Sequence, residues 1–145
     1  MILVDANLLL YAVNQDLPQH HRARRWLEAT FSGGETVGLP WVVVLAFLRL
    51  STNARVFEQP LSVVAATGYI EEWLALPTVT AVPPGDAHWP ILRNLLADAG
   101  TGGNLTTDAH IAALALERGC TVYSTDQDFK RFAGVRHVNP LASKP

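Results

Sequence analysis

Met1-Ile2-Leu3-Val4-Asp5-Ala6-Asn7-Leu8-Leu9-Leu10-Tyr11-Ala12 opens the chain. Met1 to Val4 is an unbroken apolar run, too short for a helix and suited to one fully buried strand. Asp5 ends it, and Asn7 can cap a helix that carries Leu8, Leu9, Leu10 and Tyr11. A carboxylate therefore stands between two segments that both belong in a core. An ionised carboxylate in such a place is costly unless it is paired or coordinates a metal. The plainer alternative is a capping or turn role for Asp5.

Outward from that stretch, short apolar strands alternate with helical patterns. Helices are expected over His20 to Phe31, Trp41 to Asn53, Leu61 to Ala75, Asp86 to Ala99 and Asp108 to Arg118, the last capped by Thr106 or Thr107. Strands are expected over Glu35 to Leu39, Thr78 to Val82, Cys120 to Tyr123 and Val135 to Val138, with a short helix over Phe129 to Phe132. Gly33-Gly34 and Gly119 fall where helices end, and Pro40 suits the first turn of the next one. This alternation predicts an α/β fold: a parallel sheet of about five strands with helices on both faces. Ligands in such folds bind outside the carboxyl ends of the strands.

The 145 residues are long enough for one domain, 1–145, with its own core. An apolar fraction of 49% with 17% charged residues excludes a disordered chain. A net charge of -2 argues against nucleic-acid binding by bulk positive charge, while leaving room for a local basic patch. Such a patch lies at His21, Arg22, Arg24 and Arg25; its first reading is a solvated helix face, with a binding site as the alternative. The single cysteine, Cys120, excludes an internal disulfide, suits a reducing compartment and is expected to be a small core residue. The longest apolar run, Leu39 to Leu48, is far short of a membrane span, and the N-terminus lacks the basic region of a signal peptide. A cytoplasmic protein without membrane contact is expected.

The predicted sheet brings acidic residues together. Asp5 follows strand one, Asp126 and Asp128 follow the Cys120 strand, and Asp108 lies in the first turn of the helix leading into it. Singly, Asp108 can be a helix-dipole partner, and Asp126 and Asp128 can be turn or cap residues. Together, three or four carboxylates at one edge repel unless a cation neutralises them. An all-oxygen site selects a hard divalent ion, Mg²⁺ or Mn²⁺, whose chemistry is attack of water on a phosphodiester.

Three blocks now stand out: Val4-Asp5-Ala6-Asn7-Leu8-Leu9, Asn104-Leu105-Thr106-Thr107-Asp108-Ala109-His110-Ile111-Ala112-Ala113-Leu114-Ala115, and Ser124-Thr125-Asp126-Gln127-Asp128-Phe129. They resemble, in order and over essentially the whole chain, the signature blocks of PIN-domain nucleases. More narrowly they are similar to the VapC toxins of bacterial type II toxin–antitoxin systems. Pro40 to Leu50 and Val135 to Leu141 resemble a mycobacterial-type branch of that family. The resemblance implies a Mg²⁺- or Mn²⁺-dependent endoribonuclease that cuts structured RNA, transfer or ribosomal, and inhibits translation. It also implies a toxin homodimer and a cognate VapB-type antitoxin covering the active site. By the same resemblance Asp5 and Asp108 are the principal metal ligands, Asp126 completes the acidic cluster, and Asp128 is an auxiliary acid.

One position departs from the pattern. Many members carry a glutamate directly before the Phe-Leu-Arg sequence, where this chain has Ala46, so a two-metal mechanism is in question. A degenerate domain that binds RNA or antitoxin without cutting is the alternative. An aspartyl-phosphate phosphatase ranks lower, because it wants an Asp where Asn7 stands. Asn7 and Asn104 have two roles open, as caps or as contacts to metal-bound water or phosphate. Arg49 can meet phosphate or pair with the acidic cluster. His110 is read as a surface or partly buried histidine, not a ligand. Trp26, Trp41, Trp73 and Trp89 are read as core or dimer contacts ahead of base-stacking platforms.

Overall fold

Ile2–Val4 form β1, buried along its whole length, as an apolar run without polar alternation requires. The other strands are β2 (Val37–Pro40), β3 (Val79–Val82), β4 (Thr121–Tyr123) and β5 (Arg136–Val138). In this computed structural model, which describes residues 1–142, they form one sheet of order β3-β2-β1-β4-β5, parallel throughout. The helices are α1 (Ala6–Val13), α2 (His20–Phe31), α3 (Trp41–Ser51), α4 (Val63–Ala75), α5 (His88–Ala99) and α6 (Leu105–Arg118).

From β1 the chain steps outward through β2 to β3, then returns across the other face to β4 and β5. Right-handed crossovers therefore put α1 to α4 on one face and α5, α6 and a 3₁₀ turn (Gln127–Arg131) on the other. The expected parallel α/β sandwich is thus observed. The strand order reverses between β1 and β4, and the crevice at their carboxyl ends is the place such a fold offers a ligand.

Leu3, Val4, Leu8 and Leu9 from the opening stretch are wholly enclosed, together with Leu39, Phe47, Ile111 and Leu114. Cys120 is buried as expected. Trp73 is also buried, and Trp26 partly so. Trp41 and Trp89 are instead 50% and 63% exposed, in the first turns of α3 and α5. Helical periodicity identifies an apolar stripe but not how far along it the neighbouring layer extends.

Two capping expectations are corrected. Asp5, not Asn7, is the N-cap of α1, its carboxylate accepting from the Ala6 N–H. Neither Thr106 nor Thr107 caps α6, which starts earlier, at Leu105; the Gly102 and Gly103 carbonyls accept from the Leu105 and Thr106 N–H groups instead. Among the described residues no helix is long and apolar enough to cross a membrane.

Candidate metal centre

Val4 lies opposite Tyr123 in the β1–β4 ladder, so Asp5 and Ser124 leave the sheet side by side. The Asp5 N–H donates to the Tyr123 carbonyl at 3.0 Å, holding the backbone in place. On the side chain, Oδ1 accepts from the Ala6 N–H at 2.8 Å and Oδ2 from the Ser124 hydroxyl at 2.7 Å. Asn7 Nδ2 reaches the same Oδ2 at 3.4 Å.

Ser124 is completely buried and central to this network. Its Oγ donates to Asp5 and accepts from Asn7 Nδ2 at 3.0 Å and from the Asp126 N–H at 3.0 Å. One donor and two lone pairs are thus all used. Asn7, whose Oδ1 also accepts from the Thr125 N–H at 3.4 Å, ties α1 to the loop after β4. Behind the loop, His137 Nε2 lies 2.8 Å from the Ser124 carbonyl oxygen. Asp126 caps the 3₁₀ turn by accepting from the Asp128 N–H at 2.9 Å, and the buried Phe129 pins that turn.

Asp108 comes in from the first turn of α6. One carboxylate oxygen from each of Asp108, Asp126 and Asp128 lies within 4.8 Å of the others, and all three residues are partly buried. Asp5 stands outside this trio, but its charge acts on Asp108 and that of Asp126 acts on it. Burial first, then the charges of Asp126 and Asp5, a hydrogen bond with Asp126 and the charge of Asp128 push the Asp108 carboxyl up to about 7. Asp5 is raised too, mainly by burial, against the lowering effect of its Ser124 and Ala6 hydrogen bonds. Burial and like charge both oppose ionisation here, and a bound cation would offset both. The all-oxygen donor set fits a hard divalent cation better than zinc.

The remaining sequence candidates fall elsewhere. Arg49 is exposed, makes no ion pair or side-chain hydrogen bond among the described residues, and is not among the groups that set the acidity of Asp5 or Asp108. Asn104 is the exposed N-cap residue of α6, without a side-chain capping bond. His110 is outside the acidic cluster: its Nδ1 lies 2.9 Å from Nε2 of the buried His88, between α5 and α6. Ser124 and His137 were missed as site residues. For Ser124 the available signal was a small hydroxyl residue directly after a half-buried strand and beside an Asp turn.

Two outcomes follow from this geometry. Ser124→Ala strips Asp5, Asn7 and the Asp126 N–H of their shared partner. It is expected to cost about 1–3 kcal/mol of stability and to weaken divalent-ion affinity roughly 10–100-fold, read by denaturant melts and calorimetric titration. Without metal, the folded state also holds a proton on Asp108 that the unfolded chain releases near pH 4, and the raised Asp5 acts in the same direction. Folding therefore binds protons between about pH 4 and pH 7, and stability falls as pH rises through that window. The metal-free melting temperature should fall across it more steeply than that of Asp108→Asn, which controls for the histidines. Divalent ion should flatten the difference.

A family model, PIN domain, matches residues 2–135. Ribonuclease VapC37 of Mycobacterium tuberculosis is 46% identical over 142 residues, covering 98% of this chain and 99% of that protein. Solved structures that share the fold include the following two. The sarcin-ricin loop cleaving toxin VapC20 of M. tuberculosis superposes with a TM-score of 0.65 at 21% identity, over 94% of this chain and 99% of that one. DNA-bound VapBC from Salmonella typhimurium superposes with a TM-score of 0.65 at 21% identity, over 97% and 99%.

Proposed function

The chain belongs to the PIN-domain family and to its VapC ribonucleases, and on that premise we propose a Mg²⁺- or Mn²⁺-dependent endoribonuclease, the toxin of a type II toxin–antitoxin pair. The observation that carries the reading is the set of carboxylates at the strand-order reversal, with Asp108 pushed up to about 7 by burial and by its acidic neighbours. Asp5, Asp108 and Asp126 would hold the ion, with Asp128 as the auxiliary acid. When bound, such an ion activates water and neutralises charge on a phosphodiester undergoing in-line attack.

The protein's part is orientation. Ser124 and the Ala6 N–H fix both oxygens of Asp5 before any ligand arrives. The 3₁₀ turn fixes Asp126, and Asn7 joins α1 to the loop after β4. Ala46 supplies no acid from α3, so the donor set rests on the β1 end, α6 and the loop after β4.

Structured RNA, transfer or ribosomal, is the substrate class we propose, and inhibition of translation in the cytoplasm its consequence. A VapB-type antitoxin is the proposed regulator, supported by the likeness to a VapBC toxin fold. A homodimer is supported by the apolar surface that Trp41, Leu45, Val63 and Val64 leave exposed on α3 and α4.

The test is direct. Purified protein should cleave RNA when Mg²⁺ or Mn²⁺ is added and stop with chelator. The substitution at Ala46 favours a second reading, a domain that binds without cutting. Ion and RNA binding with no turnover would establish that one instead.

A further inference from the structure

Three of the chain's eleven Lys and Arg residues fall within Arg22 to Arg25, in a protein whose net charge is -2. A solvated helix face accounts for them in isolation, but the fold carries Arg22 and the neighbouring Trp26 to the edge of the sheet at which the carboxylates stand. Trp26, one turn after Arg22, stacks on Tyr123 with ring centroids 5.7 Å apart and planes 18° from parallel. Tyr123 is the last residue of β4, and the next residue, Ser124, holds Asp5. Both rings are partly exposed. Arg22 donates to the carbonyl of Leu141, just past the carboxyl end of β5, so it reaches the same edge of the sheet. That partner is neutral, and Arg22 makes no ion pair among the described residues. Arg25 is exposed and has no ion pair or hydrogen bond among the described residues, whereas Arg24 is matched by Glu28 at 2.9 Å.

A nuclease whose reacting centre is a cluster of carboxylates repels its polyanionic substrate there, and attraction must come from cations close by. Guanidinium groups next to a flat, partly open aromatic pair have the composition of surfaces that hold unpaired nucleotides: charge for the phosphates, rings for a base. We propose that Arg22, Arg25, Trp26 and Tyr123 form the strand-positioning surface of this enzyme, the arginines holding phosphates and the ring pair one unstacked base. The inference rests on the ribonuclease reading above. These residues position the strand and do not touch the reacting atoms.

The probe is a short fluorescein-labelled single-stranded RNA, with its duplexed counterpart as comparison, titrated by anisotropy in Mg²⁺. Asp108→Asn serves as the background, so that cleavage is too slow to disturb the titration. Arg25→Glu, at an exposed position, is expected to weaken binding about tenfold and to lower the salt slope by about one to two. Trp26→Leu is expected to weaken it about tenfold, and Trp26→Phe to keep most of the affinity. The single strand should bind more tightly than the duplex. Affinities within twofold of the parent for both Arg25→Glu and Trp26→Leu would overturn the proposal. So would variants that lose binding to poly-glutamate, titrated in parallel, while keeping their RNA affinity, which would assign the face to an acidic protein partner. If the unmodified chain neither binds nor cleaves RNA, the ribonuclease reading itself fails; if it cleaves and the variants bind normally, only the positioning surface does.

Discussion

Asp108→Asn is expected to lower metal-dependent RNA cleavage by on the order of 10²–10³-fold or more, while raising the melting temperature of the metal-free protein. The two effects share one origin. Asp108 is partly buried, shares a hydrogen bond with Asp126 and feels the charges of Asp126, Asp5 and Asp128. Without an ion those neighbours oppose its ionisation, so an uncharged isostere relieves repulsion and burial cost together. With an ion, the same removal takes away a ligand. The stabilisation should be clear above pH 7, where Asp108 is largely ionised, and should shrink towards pH 5, where the carboxyl is already neutral. Initial rates on RNA and thermal melts in chelator at the two pH values measure both halves. Retained cleavage would remove Asp108 from the site. A lower metal-free melting temperature would make it a structural residue.

Phe129→Ala is expected to cost about 3–5 kcal/mol and to weaken metal binding beyond what the loss of stability explains. Phe129 is fully buried, packed against Phe132 at 6.3 Å and against the His137 ring at 5.7 Å. It follows Asp128 in the 3₁₀ turn, and His137 in turn contacts the Ser124 carbonyl. Truncating it loosens the turn that presents Asp126 and Asp128 and the backing of the residue that orients Asp5. Leu39→Ala, an equally buried truncation in β2, is the control: about 2–5 kcal/mol with ion affinity unchanged in the folded fraction. Denaturant unfolding and ion titration of both variants decide it. Equal ion affinity in the two would mean that the turn holds its shape without Phe129.

The opening stretch shows where local information suffices. Met1 to Val4 could be read as a buried strand because every side chain is apolar, and the alternation of such runs with helical stripes implied the parallel sandwich. Asp5, Asp108 and Asp126 could be brought together because parallel crossovers carry the residues after β1 and β4, and the start of the helix leading into β4, to one edge, whatever the loops do. Element ends were less legible: α4 starts at Val63 because Ser62 caps it, with the Ala65 N–H on its hydroxyl at 3.1 Å.

The sequence by itself thus determined the order of elements and the edge at which the acids gather. Only the tertiary structure decided which acids share one small volume, that Asp128 joins Asp108 and Asp126 while Asp5 stands beside them, and that Ser124 and His137 support the site. It also separated Trp26, stacked beside the centre, from Trp41 and Trp89 on the surface. The physical reason is register. Asp5 and Ser124 are 119 residues apart and meet only because Val4 pairs with Tyr123; a slip of one residue would turn every side chain of β4 to the other face. Periodicity along a chain records which side of an element is apolar. It carries no record of which distant residue the pairing sets opposite.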